Sequence, residues 1–339
     1  MTKRRKFVNI NDIAKAAGVS LSTVSFSLNN PERVAQNTRS HVLRIAKELG
    51  YLRVRKAGKR GNIGLIADDY YNLIFGEFYN WVSIAILEEL KKRSYNVLID
   101  STEKDPECFP KMIVKSMVDG VLFLGKVSKD LIYIAQQKNI PIVLVGHPIP
   151  EIELNAIVPD GRSGAVQAID HLIALGHKKI AIMLGEPIYD PITVERLEGY
   201  RFALSKARLP ERSEYIIEAD YGKPETAVEA VNKLLNLPNP PSAIFCTSDS
   251  LAYRAYNAIK AKGMNIPKDI SIVGFDDIKS PEYAQLPQPE LTTVHVDRQE
   301  MGRSSVEILF DIMHNQKKAT FRYTLPVKLV IKKSTAPIK

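Results

Sequence analysis

The chain has 339 residues, of which 45% are hydrophobic, a formal charge of +9 and two cysteines. That length suits two or three domains with cores of their own, Cys108 and Cys246 stand too far apart to suggest a disulfide framework or a metal site, and no apolar run reaches the roughly 20 residues of a membrane helix. The charge is unevenly spread: residues 1–60 carry 14 Lys or Arg against 3 Asp or Glu, and the rest carry 33 against 35. The basic excess therefore belongs to the first segment, the footprint of a phosphate-binding module attached to a near-neutral body. Residues 1–6 are basic but are followed by polar residues 9–15 instead of an apolar stretch, so a secretory signal is not read and a cytoplasmic location is expected.

Residues 11–29, NDIAKAAGVSLSTVSFSLN, read as two short helices around a sharp turn. Ile13, Ala14 and Ala17 share one helical face, Gly18 permits a left-handed turn and Val19 points back inward. Ser20 caps a second helix on which Val24 and Leu28 face the core, leaving Leu21, Ser22, Ser25 and Phe26 outward. This is the pattern of a helix-turn-helix whose second helix enters a DNA major groove; Ser20, Thr23 and Asn29 are expected at the DNA with these four. A plain helical hairpin with a polar outer face has the same pattern, and the charge asymmetry is what favours the DNA reader. A third helix is predicted over residues 37–49 from Val42, Ile45, Ala46 and Leu49, with Gly50 closing it. Residues 52–61, LRVRKAGKRG, form a basic linker, either an arm along DNA through Arg53 and Arg55 or a solvated tether.

Beyond residue 61 the chain alternates short β-branched runs with amphipathic helices. Strands are predicted at residues 62–67, 96–100, 119–125, 141–146, 179–184, 215–219, 242–246 and 271–275. Helices are predicted at 75–93, 106–117, 129–138, 161–175, 193–207, 223–235 and 249–262. Apolar strands alternating with helices mean parallel sheets covered on both faces, and so many units imply two doubly wound subdomains. Ligands of such sheets sit at the carboxyl ends of the strands. Those ends hold Asp69, His147, Tyr221, Asp249, Asp276 and neighbouring residues, a mixture of carboxylates and aromatics suited to hydroxyl-rich or ring-shaped ligands; an acid that only caps a helix or turns the chain would look the same. The helix at residues 75–90 carries more apolar residues (Phe78, Trp81, Val82, Ile84, Ala85, Ile86, Leu87) than one core-facing stripe uses, and the surplus face is available to a two-fold mate or to burial within its own lobe.

Taken in order, DIAKAAGVSLSTVSFSLNN, LGY, IGLIADD, DGVLFLG, HLIALGHKKIA, RLEGYRFAL, GFDDI and LTTV resemble the lac repressor and galactose repressor family of bacterial transcription regulators over nearly the whole chain. The resemblance implies an all-α helix-turn-helix head (residues 1–51), the linker (52–61) and an α/β periplasmic-binding-protein-like core (62–339) of two doubly wound parallel-sheet lobes. The expected lobes are residues 62–158 with 294–319 and residues 159–293 with 320–339. It also implies a homodimer on a palindromic double-stranded DNA operator, governed by a small-molecule effector. Carried over residue by residue, Arg196 reaches into the cleft, Asp249 and Asp276 supply carboxylates, Tyr221 an aromatic surface and Phe75 a contact from the other lobe. A sugar or sugar derivative is the favoured effector, with a nucleobase or nucleoside, or a phosphocarrier protein partner, as alternatives.

Departures are informative. The family's usual arginine at the position of Phe26 is absent, so Phe26 is expected to press on a thymine methyl. Ala35 replaces the usual cap before the third helix, Gly146-His147 replaces an Asp-Arg pair, and the linker does not match the family's hinge helix. No nucleophile elbow, Walker loop, metal-spaced cluster or dinucleotide motif is found, so neither enzyme nor cofactor is expected. His177 reads as a packing or capping residue.

Overall fold

The computed structural model describes residues 10–29, 33–49, 61–68, 73, 76–102, 109–278, 289–315 and 320–338. The chain divides into two compact units at residues 61 and 62.

The first unit is three helices: α1 (Ile10–Ala17), α2 (Leu21–Asn29) and α3 (Gln36–Glu48). α1 ends because Gly18 takes φ +63°, which lets the Val19 amide return to the Ala14 carbonyl at 3.1 Å, the bond that closes a Schellman turn. α2 begins because the Ser20 hydroxyl accepts the Thr23 amide at 3.0 Å. Ile13, Ala14, Ala17, Val24, Leu28, Val42 and Ala46 make the core, with Val19, Leu43 and Ile45 packed on it. So small a core supports little stability by itself.

The second unit contains two six-stranded sheets. The first has the order β2-β1-β3-β4-β5-β11, with β1 (Asn62–Ala67), β2 (Asn96–Ser101), β3 (Gly120–Leu124), β4 (Ile142–Val145), β5 (Asn155–Pro159) and β11 (Arg322–Leu325). The second repeats it as β7-β6-β8-β9-β10-β12, with β6 (Ile180–Leu184), β7 (Ile216–Glu218), β8 (Ala243–Cys246), β9 (Ser271–Asp276), β10 (Thr292–Val296) and β12 (Val327–Val330). The central strands β3, β4, β6 and β8 are buried at every residue, which is why they read as uninterrupted apolar runs. One pairing departs from the parallel expectation: β12 runs antiparallel to β10, because only Pro326 separates it from the end of β11 in the other sheet.

Helices α4 (Tyr79–Lys92), α5 (Lys111–Val114) and α6 (Lys129–Gln137) belong to the first lobe, and α7 (Gly161–Ala174), α8 (Pro191–Lys206), α9 (Pro224–Leu235) and α10 (Asp249–Ala261) to the second. α11 (Arg298–Asn315) packs along α4 and beneath β3, β4 and β5. Serine and aspartate caps start several of them: Ser128 accepts the Leu131 amide, Asp160 that of Ser163, Ser248 that of Leu251. The predicted helix at residues 106–117 shrinks to α5 among the described residues, since Lys115 and Ser116 turn the chain, Ser116 at φ +48°. The chain crosses between lobes after β5, after β10 and between β11 and β12. The expected crossing points near residues 293 and 319 thus shift to 296 and 326, because β10 completes the second sheet and β11 the first.

Candidate functional site

In the head, the residues expected at DNA lie together on α2. Leu21 is 46% exposed, Ser20 and Ser22 are exposed, and Thr23, Ser25 and Phe26 are half-buried. Ser20 is committed to its capping role, and its hydroxyl also meets those of Ser22 at 2.7 Å and Thr23 at 2.8 Å. The Asn29 side chain and all of Arg53 and Arg55 lie outside the described residues. Phe26 does not present a bare ring: the Arg33 guanidinium carbon sits 5.7 Å from its centroid.

In the core, the carboxyl ends of both sheets face one another. From the second lobe, Arg196 of α8 is 6% exposed. It donates to the Thr247 carbonyl, stacks 3.9 Å from the centre of the Phe275 ring and lies 3.6 Å from the Asp276 carboxylate. Among the described residues its Nε is buried without an acceptor. Burial raises the Asp276 carboxyl to about 6 against the pull of Arg196 and Arg298. Asp276 also has φ +107° and Asp277 φ +52°, strained for residues with a Cβ. The Arg298 guanidinium holds that turn by donating to the carbonyls of Asp276 at 2.8 Å and Asp277 at 3.1 Å. Tyr221 lies over Gly185, where any Cβ would collide with its ring, and burial pushes its phenol pKa up.

The first lobe answers with Tyr79, the first residue of α4. A Cβ on Gly146 (φ +84°) would stand 2.6 Å from its hydroxyl, so glycine at the end of β4 is what lets the ring lie there. Burial raises the Tyr79 pKa, followed by Asp68 of its own lobe and Asp276 of the opposite one. Each lobe thus lays a tyrosine on glycine at its strand ends, Tyr221 on Gly185 and Tyr79 on Gly146 and Gly125.

At the same strand ends, the lobes are joined by ions. His147 Nε2 is 2.9 Å from Asp190 Oδ2; Lys126 Nζ is 3.1 Å from that oxygen and 2.6 Å from Glu186. Burial works against ionisation of Asp190, but His147 and Lys126 overcome it and hold the carboxyl well below its ordinary range. Its other oxygen caps α8 through the Ile192 and Thr193 amides. Arg322 of β11 pairs with Glu195 of α8 in a further bridge between lobes.

Of the expected cleft residues, Arg196, Tyr221 and Asp276 come together, and His147 joins the bridge. Asp249 is fully buried, and both oxygens are taken, by the Thr293 hydroxyl at 2.6 Å and the Ile278 amide at 2.8 Å. Burial and then Asp276 raise its pKa. It fastens the β9 exit to β10 and offers no oxygen to the cleft. Asp69 and Phe75 lie outside the described residues. Tyr79, Lys126 and Asp190 were not anticipated, although Asp190-Pro191 is a readable cap followed by proline at the first helical position. His177 is a packing residue: it bonds Ser242, Ser271 and the Ala336 carbonyl and is 4% exposed. Cys246 is a buried free thiol. Among the described residues no group of side chains is arranged to hold a metal, and no helix is long and apolar enough to cross a membrane.

Residues 9–53 match the family described as bacterial regulatory proteins, lacI family, and residues 169–335 match the periplasmic binding protein-like domain. The HTH-type transcriptional repressor CytR of Escherichia coli K12 is 32% identical over 342 aligned positions, spanning 98% of each chain. The lac repressor dimer bound to operator and the anti-inducer ONPF superposes with a TM-score of 0.74 at 27% identity, over 98% of this chain and 100% of the other. A complex of the transcriptional regulator CelR with cellobiose superposes with a TM-score of 0.72 at 28% identity, over 96% and 99%.

Proposed function

Since the chain belongs to the lacI family of bacterial regulatory proteins and is a ligand-responsive repressor rather than an enzyme, we propose that its effector is a sugar or sugar derivative held between the two lobes. The observation that carries this reading is Arg196: a buried guanidinium whose Nε lacks an acceptor among the described residues, 3.6 Å from a carboxylate, stacked on Phe275 and near enough to Tyr221 and Tyr79 for its charge to act on both. A fork of donors beside an acceptor binds adjacent hydroxyls, whose oxygens accept and whose hydrogens donate, while the aromatic faces cover the ring's C–H surface. Asp249 acts through its neighbours by fixing the Asp276 turn. Asp69 and Phe75 belong to the same proposed site.

Two tyrosines from opposite lobes favour one second reading, a planar nucleobase or nucleoside clasped between rings. A thermal-shift panel decides: sugars at millimolar concentration should raise the melting temperature, and a panel in which only purine or pyrimidine nucleosides do so assigns the second class.

In the proposed mode of action the protein works in the cytoplasm as a homodimer on a palindromic operator. The bases are approached by Leu21, Ser22, Ser25, Phe26 and Asn29, with Ser20 and Thr23 at the helix entry and Arg53 and Arg55 on the linker. Trp81, Ile84 and Leu87, each more than a third exposed on α4, supply the apolar stripe for the two-fold mate; Trp81→Glu should lower the mass seen by analytical ultracentrifugation to that of a monomer. An effector that binds one lobe arrangement more tightly shifts the population of operator-competent dimers.

A further inference from the structure

The helix that enters the groove has no charge of its own. α2 reads LSTVSFSLN, without an acid in its first turn or a base in its last. Its exposed end offers Leu21 and the mutually bonded hydroxyls of Ser20, Ser22 and Thr23, and one turn further comes the half-buried Phe26 ring. Such a face can touch a thymine methyl but has no fork of donors to bridge the two acceptors of a guanine edge.

A fork stands beside it. Arg33, exposed and beyond the end of α2, sits 5.7 Å from the centre of the Phe26 ring. A guanidinium held at an aromatic ring is engaged through its π face or charge, while its five N–H bonds lie in its own plane. The contact therefore fixes the position of the cation and leaves donors at its edge for another partner. Arg39, the next cation along, is turned inward and donates to the Ser27 carbonyl at 3.4 Å.

We propose that Phe26 and Arg33 act as one base-reading unit: the Phe26 ring is a shelf, and the Arg33 guanidinium resting on it makes the bidentate contact to a guanine in the major groove of each half-site. Arg33 is the specificity-determining residue and Phe26 its positioning residue. The ring edge stays available to a neighbouring thymine methyl. This assignment rests on operator binding by α2, and its failure is distinguishable from failure of that reading.

The test is selection of a randomised duplex library by the full-length protein, followed by affinity measurements on the selected site with each single-base change. Wild-type protein should enrich a palindrome with one strongly preferred guanine per half-site. Arg33→Ala should lose the preference at that position by about tenfold or more, the size expected of a bidentate contact, while keeping the others. Phe26→Leu should lose the same preference, Phe26→Tyr should retain it, and Arg33→Lys should not restore it. If Arg33→Ala weakens all sequences equally and reduces the salt slope by about one ion, Arg33 is a phosphate contact and the proposal is overturned. If Phe26→Leu leaves the guanine preference intact, the shelf is overturned. If the wild-type protein enriches no sequence, it is the operator reading that falls.

Discussion

The two lobes share one strand order and differ in the chemistry of their strand ends. The first lobe brings Lys126, His147 and Tyr79 to the cleft, and the second brings Glu186, Asp190 and Asp276 with the buried Arg196. A duplicated scaffold fixes where the strand ends lie, whereas the sign of the charge on each decides what can pass between them. The bridge from Lys126 and His147 to Asp190 and Glu186 needs both lobes. The Arg196, Phe275 and Asp276 cluster is complete within one lobe, so that lobe holds its half of the proposed ligand site without a residue from the other.

Arg196→Ala leaves Asp276 buried without its nearest cation, and removal of one partner of a buried pair typically costs about 3–5 kcal/mol. Denaturant unfolding should show a loss of that order, and no ligand should then shift the melting temperature.

Asp276 and Asp190 should respond in opposite senses. The folded-state pKa of Asp276 is above its ordinary value, at about 6. Its contribution to stability is therefore fully present below about pH 4 and is lost as pH rises through 6. By the usual conversion that is roughly 3 kcal/mol, so Asp276→Asn, which removes the partner of Arg196, should abolish this pH-dependent loss together with the ligand response. The Asp190 pKa is depressed, so its contribution is present above about pH 4 and is lost as the pH falls through the folded-state value. Asp190→Ala should destabilise by about 1–2 kcal/mol at neutral pH through the lost helix cap and bridge. Urea melts across pH 4–8 should give a sloping difference curve for Asp276→Asn and a flat one for Asp190→Ala, which changes only below about pH 4 and in the opposite sense; two parallel curves would show that burial and the bridge do not set these carboxyls apart. The smallest effect belongs to Lys126→Ala. Its side chain is 45% exposed, so the melting temperature should change by the equivalent of less than about 1 kcal/mol, and that change should shrink in high salt.

The same division explains what the sequence makes legible. The head reads well because its signals are local: Gly18 turns, Ser20 caps, and the core positions of α1 and α2 recur at helical spacing. The buried central strands read as apolar runs for a similar reason. β5, β10, β11 and β12 escape, as does α11. β11 has three exposed residues out of four and is a strand only because the edge of the first sheet receives it. In the cleft, Arg196, Tyr221 and Asp276 are legible because a strand end or a family-like motif marks them. Lys126 and Asp190 are not, since what makes them part of a site is a residue on the other lobe. Asp249 shows the converse: an acid after a strand looks available until its oxygens are found on Thr293 and Ile278.

In the proposed mode of action the second lobe's buried Arg196 couples ligand to operator. Its direct test is operator affinity, on the site selected by the wild-type protein, with and without whichever panel ligand shifts the melting temperature. Wild-type protein should change its operator affinity when that ligand is added, and Arg196→Ala, folded and still operator-bound, should not. An Arg196→Ala protein that answers the ligand as fully as the wild type would contradict the account.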